Sequence, residues 1–210
     1  LNFCFSSPKK PVVAIVGGSK VSSKLGVLEN LANRVDSLIV GGGIANTFLV
    51  AANKDVGKSL YEKQLVDRAR AIMDKVEVIL PSDVVVSTEI SDKSVALKKL
   101  VDDIGPDEMV LDIGISSSER VSKILEASGT IIWNGPVGVF EIEQFSEGTK
   151  SVSVAVSESD AFSIAGGGDT LAAIEKYKIS KNISYISTGG GAFLKFLENG
   201  RLPAIDILNQ

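Results

Sequence analysis

Lys20 and Lys24 stand four residues apart in the stretch VVAIVGGSKVSSKL, directly after Gly17-Gly18. If that stretch opens a helix, the spacing puts both ammonium groups on one face. A helix N-terminus carries partial positive charge, so two cations there are unfavourable unless an anion joins them. A bound polyphosphate would be such an anion; the plain alternative is a solvated lysine pair. A second cluster is SIAGGGDTLAAIEKY, where Asp169 and Thr170 follow three glycines. Asp169 is placed to be the N-cap of the helix that follows. A cap leaves one carboxylate oxygen free, and that oxygen could face Mg²⁺ bridging phosphates, with Thr170 and nearby amides touching phosphate oxygens. The third candidate is Glu141 at the end of WNGPVGVFE, an acid that could accept from ribose hydroxyls or simply sit on the surface. The chain has no histidine. Any chemistry must therefore run on lysine, carboxylates, hydroxyls, backbone amides and bound metal.

These side chains need elements to position them. Seven short apolar runs recur along the chain: VVAIV (12–16), SLIV (37–40), EVIL (77–80), MVLDI (109–113), TIIW (130–133), FSIA (162–165) and SYIS (184–187). Most are apolar throughout and do not alternate, as strands buried on both faces of a parallel sheet do. Helical patterns lie between them at 21–34, 59–76, 117–128 and 169–178. The rhythm predicts βαβ units in an α/β fold. The expected architecture is a Rossmann-like three-layer sandwich, a mostly parallel sheet of about six strands with helices on both faces. Residues 81–100 break the rhythm and read as a hairpin or irregular excursion before a short helix.

Glycine clusters follow the strands: Gly17-Gly18, Gly41-Gly42-Gly43, Gly135 and Gly138, Gly166-Gly167-Gly168, and Gly189-Gly190-Gly191. All would lie on the carboxyl edge of the sheet, where open α/β folds bind ligands. Each cluster alone reads as a tight turn. Together they read as backbone amides bared for phosphate.

Other readings fall away. Gly57-Lys58-Ser59 imitates a P-loop, but the first glycine of that motif would fall on Ala52. The first glycine turn, GGSKVS, lacks the dinucleotide fingerprint, which weighs against an NAD-dependent oxidoreductase. The net charge of −4 disfavours nucleic acid as a partner. No apolar run reaches the ~20 residues of a membrane span. A single cysteine, Cys4, makes a reducing cytoplasm the default. The chain begins with Leu1, which reads as a processed or cut end. Residues 1–10 read as the end of a preceding element with a linker, and 11–210 as one domain.

At this point the motifs resemble phosphoglycerate kinases, specifically their C-terminal nucleotide-binding half. The matching segments are VVAIVGGSKVSSKL, LIVGGGIANTFL, LPSD, LDIG, TIIWNGPVGVFE, SIAGGGDTLAAI and YISTGGGAFLKFLE, in the family's order from about residue 8 onward; the pattern looks bacterial. The resemblance implies that Lys24 contacts the transferring phosphoryl group and the nucleotide phosphates, with Lys20 as its companion. It implies that Gly42, Gly43 and Gly114 wall the adenine pocket, with Val139 packed on the base. Asn134 and Pro136 fall on the phosphate and base side of the cleft, and Glu141 on the ribose. Gly167, Gly168, Asp169 and Thr170 fall on the phosphate–Mg²⁺ segment, with Asp169 as the metal residue. Gly190 and Gly191 begin a helix whose N-terminus helps hold the transferring phosphate. Where some members have an acid before the second lysine, this chain has Ser23.

The implied reaction is reversible phosphoryl transfer between ATP and 3-phosphoglycerate, with Mg²⁺ and ADP or ATP bound by this chain. The family's basic, arginine-rich phosphoglycerate clamp lies in an N-terminal domain absent here; Arg34, Arg68, Arg70, Arg120 and Arg201 are scattered. The resemblance therefore implies a monomeric cytoplasmic half-enzyme that binds nucleotide and is inactive alone. The alternative is a stand-alone, non-catalytic adenine-nucleotide module.

Overall fold

Parallel strands with both faces covered must be apolar throughout, and six of the runs pair as such strands. The computed structural model describes residues 8–199. Its main sheet holds β1 (Val12–Gly17), β2 (Ser37–Gly41), β3 (Glu77–Ile79), β7 (Thr130–Asn134), β8 (Phe162–Gly166) and β9 (Tyr185–Ser187), in the order β3-β2-β1-β7-β8-β9. Every pairing in it is parallel. The order runs outward in opposite directions from the β1/β7 junction, which is the switch point where such sheets open a crevice.

Alternate residues of β1 feed two separate cores. Val12, Ala14 and Val16 face the helices α1 (Leu25–Leu31), α2 (Gly42–Ala51), α3 (Val66–Met73) and α7 (Gly190–Asn199). Val13 and Ile15 face α4 (Ile115–Glu126), α5 (Glu147–Glu158) and α6 (Gly168–Lys176). The result is the expected three-layer sandwich. Trp133 and Phe193 lie fully buried, one in each of the two cores.

Three expectations need correction. MVLDI is not a strand of the parallel sheet. It forms β6 (Met109–Ile113), antiparallel to β4 (Asp83–Ser87), which also pairs antiparallel with β5 (Leu97–Leu100). The irregular excursion is thus a hairpin, followed by a short 3-10 turn at Val101–Asp103, and it recruits the apolar run beyond it into a second three-stranded sheet. The helix expected at 59–76 starts late: a 3-10 turn at Lys63–Leu65 leads into α3, and Ser59 is instead buried with its hydroxyl accepting from the Val110 amide at 2.8 Å. The helix expected at 21–34 splits into a 3-10 turn at Val21–Ser23 and α1.

The second sheet is pinned to the first through α4. Asp83 reaches across to that helix's N-terminus and accepts from the amides of Ser116 (3.0 Å) and Ser117 (2.7 Å). It does from a distance what an N-cap residue does locally.

Candidate functional site

The loops leaving β1, β2 and β7 meet at the switch point, packed so closely that glycine is required there. A methyl group on Gly17 would come within 1.7 Å of the Pro136 carbonyl oxygen, and one on Gly43 within 2.1 Å of that of Ser19. Gly42 has a φ of +63° and donates its amide to Val137 O at 3.0 Å, while Ile44 donates to Gly18 O at 3.1 Å. These glycines let three loops interlock. Others serve differently. A methyl on Gly168 or Gly191 would meet nothing within 4 Å. There the missing side chain leaves open space.

That open space adjoins a cleft of about 340 Å³ lined by Gly18, Gly42, Gly43, Pro136, Val139, Glu141 and Asp169, among others. One part of its wall is apolar: Leu60, Ile90 and the β6 residues Met109, Val110 and Leu111. Leu60 and Ile90 are 51% and 57% exposed, a high figure for large aliphatic side chains. An apolar slot edged by a few polar groups suits a flat heterocycle. The slot's two sides are stitched together where Val139 N donates to Leu111 O at 2.8 Å.

Lys24 does not itself line the cleft; its ammonium lies behind the glycine edge, 3.7 Å from where a methyl on the cleft-lining Gly18 would sit. Its ammonium donates to Gly17 O at 2.6 Å and to Asn134 O at 3.0 Å, two neutral carbonyls. Burial lowers its pKa from 10.5 to about 8, against the pull of the Asp169 carboxylate. Lys20 does not share its face. Lys20 is extended backbone ahead of the 3-10 turn and Lys24 caps α1, so no helix carries both. Lys20 is exposed and lies within electrostatic reach of Glu62, whose carboxylate accepts the Ser22 amide at 2.7 Å. Ser23, at the departure from the family pattern, donates its hydroxyl to Lys20 O at 2.7 Å and closes the turn.

The glycine run before α6 is also arranged differently from the expectation. The N-cap is Gly167, with φ +101°, and no side chain caps the helix. Asp169 is therefore not the cap. It is exposed in the first turn and lines the cleft with its carboxylate uncommitted to capping. Thr170 is fully buried and does not line the cleft. Its hydroxyl donates to Gly166 O at 2.9 Å and accepts the Gly135 amide at 2.7 Å, which ties the β7 loop to β8. Asn134 is buried in the same tie, donating to Gly166 O at 2.7 Å.

Gly190 opens α7 with its nearest neighbours at Gly167 and Gly168, so the N-termini of α6 and α7 adjoin. Helix N-termini present unpaired amides and positive dipole ends. Two of them meeting beside open space make a receptor for phosphate. Gly114, expected in the adenine pocket, does not line this cleft. It is the N-cap of α4, pressed against the Asp83 carboxyl, and it lines a separate cavity behind β6.

Magnesium is commonly held by one or two carboxylates together with phosphate oxygens and water. Asp169 offers one such carboxylate beside the open backbone of Gly168, and no group of three His, Cys, Asp or Glu side chains gathers among the described residues. The donor set fits a magnesium ion that arrives on a polyphosphate.

The reading from residues alone missed the apolar wall. Leu60 and Ile90 stand singly in the polar stretches KSLYEK and TEISDK, where one apolar residue carries no periodicity. Asn46, inside α2, also lines the cleft and is buried with its amide donating to Leu60 O at 3.1 Å.

Comparison with known proteins agrees with this architecture. A family model described as phosphoglycerate kinase matches residues 1–200. A phosphoglycerate kinase of Francisella philomiragia is 55% identical over the whole of this chain, which covers 55% of that protein. The solved phosphoglycerate kinase of Coxiella burnetii superposes with a TM-score of 0.95 at 50% identity, over 99% of this chain and 55% of that one. That of Pyrococcus horikoshii superposes with a TM-score of 0.85 at 34% identity, over 98% of this chain and 53% of that one. The chain thus spans about half the length of the relatives it matches.

Proposed function

The chain belongs to the phosphoglycerate kinase family, and on that premise we propose that it is the adenine-nucleotide half of an enzyme that moves a phosphoryl group reversibly between ATP and 3-phosphoglycerate. The observation that carries this reading is Lys24, a desolvated ammonium resting on two neutral carbonyls, those of Gly17 and Asn134, beside the glycine edge. A phosphate oxygen arriving there would give the charge its missing counterpart.

In this reading the slot between Val139, Pro136, Gly42 and Gly43 takes the base, and Glu141 accepts from the ribose. Gly167, Gly168 and Asp169, with the N-termini of α6 and α7 at Gly190 and Gly191, face the phosphates. Magnesium bound with the nucleotide would be held by Asp169 and would neutralise phosphate charge. In either direction the attacking oxygen, of a carboxylate or of the ADP β-phosphate, is already anionic, so no general base is required. The residues supply position and positive potential, and a chain without histidine is equipped for that.

Among the described residues the arginines stand apart from one another, and Arg120 lines a different cavity with Glu77, Glu119 and Lys123. Arg68 pairs with Glu29, Arg70 with Asp67 at 2.9 Å, and Arg34 bonds Asn30 at 3.1 Å. Arg201 lies outside the described residues. Phosphoglycerate is therefore assigned to a domain beyond this chain. The same reading makes the protein monomeric and cytoplasmic, with neither nucleic acid nor membrane as partner. The acidic net charge disfavours a nucleic-acid partner; among the described residues no helix is long and apolar enough to cross a membrane.

Titration calorimetry tests the proposal: Mg-ADP binds and NAD does not. With ATP and phosphoglycerate, the chain alone turns over little or nothing. Rapid phosphoglycerate-dependent ATP consumption by the chain alone would overturn the half-enzyme reading.

A further inference from the structure

Three buried side-chain atoms lack a hydrogen-bond partner among the described residues: Asn46 Oδ1, Ser87 Oγ and Asn134 Oδ1. Of these three residues only Asn46 lines the cleft. A buried acceptor left without a donor weakens a fold, so its retention asks for a reason. Asn46 lies inside α2, with Ala45, Thr47 and Phe48 buried around it. Asparagine is a poor choice for a helix interior, because its short polar side chain competes with the backbone. The bond from Nδ2 to Leu60 O at 3.1 Å accounts for one end of the amide. The other end has no counterpart.

That bond also fixes which way round the amide lies. Leu60 O can only accept, so the end facing it is the nitrogen and the free end is the oxygen. Asn46 follows Gly42 and Gly43 by four and three residues in α2, so all three share one face. This places it with the slot assigned to the base. Four polar side chains line the cleft: Ser19, Asn46, Glu141 and Asp169. Ser19, Glu141 and Asp169 are exposed, whereas Asn46 is 2% exposed. An exposed group can exchange a ligand's hydrogen bond for one with water, and so discriminates little. A buried group has no water to fall back on, so a ligand that supplies its partner is favoured over one that does not.

We propose that Asn46 is a specificity-determining residue: its Oδ1 accepts a hydrogen bond from the exocyclic amino group of a bound 6-aminopurine. This rests on reading the cleft as the nucleotide site. Asparagine amides read adenine in nucleic acids by accepting from the same amine. Here the nitrogen is committed to Leu60, so only the accepting half is left for the ligand. Hypoxanthine carries a carbonyl oxygen where adenine carries the amine, which sets acceptor against acceptor. Unsubstituted purine offers only a hydrogen on carbon there. With the cleft empty, Oδ1 is closed to solvent. The half-exposed Leu60, bonded to the same amide, is the wall residue whose small outward shift admits the amine.

Titration calorimetry at pH 7 tests this with the magnesium complexes of ADP, IDP and the 5′-diphosphate of purine riboside. The three share ribose and phosphates and differ only at the edge of the ring that carries the amine. The parent chain should bind ADP at least about fivefold more tightly than either of the others, the low end for pairing a buried acceptor. Asn46→Leu should bind all three within about twofold of one another. Asn46→Ala serves the same purpose if the leucine variant does not fold. A residue that only held Leu60 in place would weaken all three alike and leave their ratio unmoved. Equal binding of the three by the parent, or a preference for ADP that survives in a folded variant, overturns the proposal and leaves the nucleotide reading standing. If the parent binds none of the three, the nucleotide reading itself fails, and this proposal with it.

Discussion

Gly168→Ala should make the chain more stable and a poorer nucleotide binder at once. Gly168 is the first residue of α6, exposed, with nothing within 4 Å of the position its Cβ would take. Alanine is better than glycine in a helix by about 0.5–1 kcal/mol. In a domain of this size that raises the melting temperature by roughly 1–4 °C. The added methyl, however, occupies the space next to Asp169 where phosphate oxygens are proposed to lie. A tenfold loss of affinity corresponds to about 1.4 kcal/mol, and the stabilisation by saturating ligand shrinks by the same amount.

The control is Gly43→Ala. Its methyl would meet the Ser19 carbonyl oxygen at 2.1 Å, so about 1–3 kcal/mol of overpacking outweighs the helix gain and the variant melts lower. Differential scanning fluorimetry with and without Mg-ADP, alongside calorimetric affinities, separates the two. Gly168→Ala should melt higher without ligand and gain less from it. Unchanged Mg-ADP affinity in Gly168→Ala would refute the assignment of that open space to phosphate.

Further expectations concern charge and caps. Because the folded chain holds Lys24 near 8, it gives up that proton more readily than the unfolded chain, and stability rises as pH climbs from 8 towards 10.5. Lys24→Met should flatten that rise in a thermal-melting series, and in the complete enzyme Lys24→Ala should lower turnover by on the order of 10²-fold. An anion beside Lys24 restores its proton, so Mg-ADP binding near pH 8 should take up protons, measured as a buffer-dependent heat that vanishes in Lys24→Met. Burial pushes the Asp83 carboxyl up, but its bonds from Ser117 and Ser116 prevail and hold it below the ordinary range. Its stabilisation is present above that range and disappears as pH falls through it; Asp83→Ala should cost about 1–2 kcal/mol by urea unfolding at pH 7. Glu141→Ala should bind ADP several-fold more weakly, about 1 kcal/mol, and should bind 2′-deoxy-ADP no worse than ADP if the ribose contact is real.

Much of the scaffold was legible because strands buried on two faces leave unbroken apolar runs. VVAIV and TIIW could hardly be anything else, and the glycines at their carboxyl ends marked the ligand edge. MVLDI was misassigned because an apolar run of five does not say which sheet it joins; pairing is settled by partners distant in sequence. The helix face imagined for Lys20 and Lys24 failed because VSS forms a tighter 3-10 turn, and a turn's pitch is not visible in residue spacing. Asp169 seemed a cap because its residue type favours caps, but Gly167 adopts a positive φ and takes the position. The sharpest limit concerns the glycines themselves. Gly43 and Gly168 look alike in the chain, yet one is compelled by a neighbouring carbonyl and the other borders empty space. Only the packing of distant loops distinguishes them.

The second sheet has a consequence for how such a protein could be reshaped. The apolar side of the slot is built from residues Met109, Val110 and Leu111 of β6 and from Ile90 in the β4–β5 connection, whereas the glycines, Lys24 and Asp169 all issue from the six-stranded sheet. Part of the base slot's wall is thus carried by a module separate from the phosphate apparatus, while Leu60, Gly42, Gly43, Pro136 and Val139 stay with segments of the larger sheet. Exchanging the segment between Pro81 and Ile113 would be a way to retune which ring is accepted while the phosphate apparatus is inherited intact.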